Sequence, residues 1–160
     1  MDSPVALTAY EEAILTGQEL LGSRLKYLRI GSVRVHGDGN CQFRALSQQL
    51  YGCADFHGSV RRAVVAHMLE ERSFFSAMFD GDADFEGYLR RMRELKCWGD
   101  ELTLRAAADC FSCAVHVVTS TETNWYLLYS PAEKPKKHLF LVYVSPVHYD
   151  ALTLAEETQI

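Results

Sequence analysis

A cysteine where a tight turn runs into a helix is placed to act as a nucleophile, and Cys41 stands at such a junction in HGDGNCQFRAL, residues 36–46. A helix beginning at or just after Cys41 puts the sulfur beside unpaired N–H groups at the positive end of the helix dipole, a setting that favours thiolate over thiol. The turn brings the successive backbone N–H groups of Asp38, Gly39, Asn40 and Cys41 near the sulfur, where they could hydrogen-bond the oxyanion of a tetrahedral intermediate. Most cysteines are simply small buried residues. The nucleophile reading therefore requires a base elsewhere in the chain.

That base is found in SPVHYDAL, residues 145–152. His148 and Asp150 lie two apart on an expected strand, so their side chains leave the same face, and the carboxylate can hold one imidazole nitrogen while the other faces the thiol. This is the nucleophile, base and orienter arrangement in sequence form. Asp38, three residues before Cys41, competes with Asp150 for the orienting role.

Other constellations are weaker. CFSCAVH (110–116) offers C-x2-C-x2-H without a second ligand pair at zinc-finger spacing. The acidic run DGDADFEG (80–87) has Phe85 where a calcium loop needs Gly and Arg91 where it needs Glu. No phosphate-binding or dinucleotide fingerprint is present. A net charge of −5 with no basic stripe argues against a nucleic-acid partner. No apolar run reaches the ~20 residues of a membrane span, and the start MDSPVALTAYEEAI lacks the pattern of a secretory signal. Five scattered cysteines suggest reduced thiols, and with them the cytoplasm or nucleus.

The elements that must position these groups are read from periodicity. The 160 residues, 48% hydrophobic, suit one compact domain. Apolar spacing predicts a helix over 9–29, opened by a Thr8/Glu11 capping box and interrupted near Gly17 or Gly22. A strand is expected at 32–35 and a helix at 41–51 ended by Gly52; further helices are expected after Ser59, after Asp84 and over 98–111. From residue 114 the chain turns to short β-branched and aromatic runs separated by turns, which makes about five strands in all. Helices first and strands last is an α+β arrangement.

Three stretches together, DGNCQFRAL (38–46), WGDELTLRAAAD (98–109) and VHYDAL (147–152), resemble the ovarian tumour (OTU) family of cysteine proteases, which remove ubiquitin from proteins. The resemblance implies an OTU/papain-like α+β fold, with a sheet of about five strands flanked by helices. One domain would span 1–160, with its motif-bearing core at about 30–152 and a helical extension over 1–29. It implies Cys41 as nucleophile, His148 as general base, Asp38 as the acid of the cysteine loop, and Asp150 at the position that in several relatives contacts the imidazole. Trp98, Gly99, Asp100 and Val147 would border the channel for the ubiquitin tail, and 73–97 would form a helical arm whose exposed Phe or Met would contact ubiquitin. The expected partner is ubiquitin, polyubiquitin or a related modifier, met by a monomer without metal or organic cofactor. Two other classes stay open on the sequence: a catalytically silent ubiquitin-binding module, and a thiol amidase acting on another substrate.

Overall fold

The computed structural model describes residues 6–145 and 148–154. Helix α1 (Ala9–Leu28) opens with the expected reciprocal cap, Thr8 and Glu11 each accepting the other's backbone N–H. It runs unbroken through both glycines. Gly17 is there for packing: a Cβ would come within 3.2 Å of Ser120, so only glycine lets the helix lie this close to the 119–121 turn.

Five strands form one mixed sheet: β1 (Ile30–Val33), β2 (Cys113–Thr119), β3 (Tyr126–Tyr129), β4 (Lys137–Val144) and β5 (His148–Leu154), in the order β1-β5-β4-β2-β3. Only the β2/β4 pair is parallel. One sheet face is covered by α2 (Cys41–Tyr51), α3 (His57–Glu70), α5 (Asp82–Arg93) and α6 (Glu101–Phe111), which enclose the main core of Phe43, Leu46, Val64, Met68, Phe85, Leu104, Val115 and Leu141. Each such side chain contributes about 1.5–3 kcal/mol by leaving water. α1 covers part of the other face, burying Leu21 against Val118 and Val142, while Arg24 donates to the Thr119 carbonyl (2.7 Å) and lies over the Trp125 ring.

Several boundaries differ from the sequence expectation for local reasons. β1 ends at Val33, and the Val35 N–H donates to the Asp150 carboxylate (3.0 Å) instead of to a neighbouring strand. α3 starts at His57 and α5 at Asp82, in each case two residues ahead of the expected cap, and neither has a side-chain cap. α6 starts at Glu101, because Asp100 and Thr103 close a reciprocal cap there. A short helix α4 (Arg72–Phe75), too brief to show a period, was not expected from the sequence. In the 73–97 segment Phe75 and Phe85 are core, whereas Phe74 and Met78 are exposed.

Candidate active site

Cys41 is the first residue of α2, as the turn-to-helix junction requires. The turn is held by Asp38, whose carboxylate accepts from the Asn40 backbone and side chain (3.0 and 3.1 Å) and from Arg44 Nε and Nη2 (3.2 and 3.1 Å). Burial pushes the Asp38 carboxyl up, but the Arg44 guanidinium and the Asn40 donors outweigh it and hold the group at about 2. Asp38 is therefore a charged clamp on the cysteine loop. No bond joins it to His148 among the described residues.

The imidazole is held by the other acid. His148 and Asp150 open β5, opposite Val144 and Val142 of β4, and the strand's alternation puts both on one face, where His148 Nε2 meets Asp150 Oδ1 at 2.6 Å. The same oxygen accepts the Val35 N–H, which fixes the carboxylate. With Nε2 committed, Nδ1 is the nitrogen left for proton transfer. The strand also reaches the sulfur directly, the Tyr149 N–H lying 3.5 Å from Cys41 Sγ. Cys41, Gln42, Trp98, Gly99, Tyr143, His148 and Tyr149 line a single narrow cleft of about 30 Å³.

Two expectations are corrected by this geometry. Cys41 is only 6% exposed, and burial pushes its thiol up; the Tyr149 and Gln42 N–H groups pull it part of the way back, and the Asp38 charge pushes it up again. Desolvation outweighs the helix-terminal donors and favours the thiol over the thiolate. Of the four expected oxyanion donors, three are engaged within the turn: the Asp38 N–H with the His36 carbonyl, the Asn40 N–H with the Asp38 carboxylate, and the Cys41 N–H with the Asp38 carbonyl. Among the described residues, the Gly39 N–H is the one without a partner in the turn.

The 98–100 turn is built against the cysteine helix. Trp98 is exposed at the mouth of the cleft. Gly99 abuts the Gln42 amide so closely that a Cβ would overlap it. Asp100 is structural: besides capping α6, it accepts from the Tyr88 hydroxyl at 2.8 Å. Beyond Gly99, Tyr143 and Tyr149 the cleft opens into a groove of about 370 Å³, also lined by Asp100, Glu101, Leu102, Leu127 and Tyr129. Val147 lies outside the described residues.

Two supporting residues, Gln42 and Arg61, and the role of the Asn40 side chain escaped the sequence reading. Gln42 Nε2 donates to the Asp100 carbonyl (3.1 Å) and its Oε1 accepts from Thr103 (2.6 Å), tying the nucleophile's helix to α6. Asn40 Oδ1 accepts from the Lys96 N–H (2.7 Å) and from Arg61 (2.9 Å). Arg61, 1% exposed, also donates to the Met92 and Cys97 carbonyls (3.0 and 2.8 Å) and stacks on Phe43, so one buried cation joins the cysteine loop to the segment leading into Trp98. A charged residue in mid-helix among apolar neighbours, Val60 and Val64, was the available signal.

A family model described as "OTU-like cysteine protease" matches residues 36–151, which takes in the sulfur, the imidazole and both acids. The chain belongs to this family. It is 38% identical over 149 residues to OVARIAN TUMOR DOMAIN-containing deubiquitinating enzyme 10 of Arabidopsis thaliana, covering 92% of this chain and 41% of that protein. It is 39% identical to enzyme 12 of the same plant, covering 88% and 64%. The chain thus spans about half the length of the curated relatives it matches. Among solved structures, the OTUD1 OTU domain superposes with a TM-score of 0.77 at 22% identity, over 89% of this chain and 97% of that one. An OTU domain solved in complex with ubiquitin gives 0.62 at 19% identity, over 78% and 69%. These two likenesses concern the fold.

Proposed function

We propose that this OTU domain is a deubiquitinase, cleaving the bond made by the C-terminal glycine of ubiquitin to a lysine or to a following chain. The observation that carries the reading is the shared cleft: a buried thiol and a carboxylate-held imidazole line one slot, which shares Gly99, Tyr143 and Tyr149 with an adjoining groove of about 370 Å³. The slot suits a substrate ending in two glycines, since its narrowness excludes side chains. Exposed Phe74 and Met78 supply an apolar contact for the body of ubiquitin.

In the reaction His148 Nδ1 takes the Cys41 proton as the sulfur attacks the glycine carbonyl, so charge separates only once substrate has displaced water. The Gly39 N–H stabilises the oxyanion. Protonated His148 gives its proton to the departing amine, the C–N bond breaks, and a thioester remains for water to hydrolyse by the same base. Asp150 orients the imidazole throughout, while Asp38 holds the loop. The five free thiols fit a reducing compartment such as the cytoplasm or nucleus.

The test is mass spectrometry after mixing with ubiquitin carrying a C-terminal electrophile. A covalent adduct is expected with the native chain and none with Cys41→Ala, while Cys41→Ala should still bind ubiquitin reversibly. Reversible binding without an adduct from the native chain would establish the silent-module reading instead.

A further inference from the structure

The catalytic imidazole sits between two openings. On one side is the slot and tail groove already described. On the other, Arg34, Val35, His36, Gly37 and His148 line an open cleft of about 690 Å³ that shares only His148 with the slot. If the deubiquitinase reading holds, the tail fills the first side, so the departing amine and the polypeptide around it must lie along the second. Gly37 borders the imidazole on this side, its Cβ position 3.8 Å from His148 Nδ1, the atom that delivers the proton.

Among the described residues, the side chains lining that exit include no carboxylate. Arg34 and His36 are exposed, and Arg34 forms no ion pair among the described residues. Of the carboxylates close by, Asp38 is paired with Arg44, and Asp150 is turned to the Val35 N–H and the His148 ring. This rim is also held in place, because Val35, between Arg34 and His36, is bonded through its N–H to the carboxylate that holds His148. On a chain of net charge −5 the Arg34 charge stands against the overall field.

We propose that Arg34, assisted by His36, is the specificity determinant on the leaving-group side, selecting target lysines flanked by acidic residues. The isopeptide nitrogen is uncharged until it departs, so the discrimination comes from its neighbours. An exposed charge pair changes the rate by ~2–5-fold, which puts the preference for an acid-flanked over a base-flanked lysine at ~3–10-fold in kcat/KM at low salt, shrinking as salt is raised.

The experiment uses ubiquitin joined through an isopeptide bond to short peptides that carry Asp/Glu, Ser/Gly or Lys/Arg around one lysine, beside a ubiquitin amide of a small uncharged fluorophore. The native chain should hydrolyse the fluorogenic amide and prefer the acidic peptide. Arg34→Ala should flatten the series and Arg34→Glu should invert it, both at native rates on the fluorogenic amide, which also certifies their fold. Equal rates across the peptides from a native chain active on the fluorogenic amide would overturn the proposal and leave the deubiquitinase reading standing. A preference unchanged in Arg34→Glu would overturn the assignment to Arg34. Failure of the native chain on the fluorogenic amide would sink the underlying function, and this inference with it.

Discussion

Exchanging the two acids separately distinguishes orientation of the base from support of the nucleophile loop. Asp150 makes a 2.6 Å bond to His148 Nε2 and accepts the Val35 N–H at 3.0 Å. A hydrogen bond to a charged group is worth about 1.5–3 kcal/mol, and its loss in the transition state corresponds to a fall of about 10- to 150-fold in kcat/KM. Asp150→Ala should show that fall and, with the Val35 N–H orphaned, some loss of stability; Asp150→Asn, which keeps an acceptor oxygen, should recover most of both. Asp38→Asn should act differently. It leaves the imidazole's partner in place and removes the charge that Arg44 neutralises, so it should cost stability, about 1–2 kcal/mol once partial exposure is discounted, and change kcat/KM by no more than about threefold. The assay is hydrolysis of a fluorogenic ubiquitin amide under subsaturating conditions, with thermal melts alongside. An Asp38→Asn protein that melts normally yet loses tenfold more activity than Asp150→Ala would refute the assignment of the two roles.

Gly39→Ala should lower kcat by about 100- to 1000-fold, since its Cβ would overlap the Lys96 carbonyl and displace the one uncommitted donor of the turn; an unchanged kcat in steady-state assays would remove Gly39 from the mechanism. Alkylation of Cys41 by iodoacetamide should be slow at pH 7 and still rising above pH 9, because burial raises the thiol above its ordinary 9.0; a rate already level below pH 7 would show a resting ion pair instead. Asp38 should contribute to acid stability. Its carboxyl is lowered in the folded chain, so the contribution is present above pH 3.8 and lost as pH falls toward about 2, and acid titration followed by circular dichroism should show a smaller drop over that window in Asp38→Asn than in the native chain.

What the sequence disclosed and what it withheld divide by range. The cap of α1, the start of α2 at Cys41 and its stop at Gly52 depend on residues within a few positions of one another, and all were legible. The pairing of His148 with Asp150 was legible because a strand's two-residue repeat fixes it wherever the strand lies. Choosing between Asp150 and Asp38 was not, since it turns on Arg44 and on the N–H of Val35, the latter contributed from 115 residues away. The roles of Gln42, of Arg61 and of the Asn40 side chain stayed hidden for the same reason: these bonds reach partners 21 to 61 positions off, and the one local signal, a charge among apolar neighbours at Arg61, does not name its acceptors. The thiol's state was misjudged because the helix terminus is visible in sequence and burial is not.

The placement of α1 and β1 bears on how the molecule can be cut. The family match starts at residue 36, yet a fragment trimmed to that point would lose both elements. Val118 and Val142 would then face water, and β5, stripped of its β1 neighbour, would present a bare hydrogen-bonding rim on the strand that bears the imidazole. Such a rim invites pairing with other chains. The unit that keeps this sheet face covered and this rim paired therefore begins near Thr8, well before the first recognisable motif.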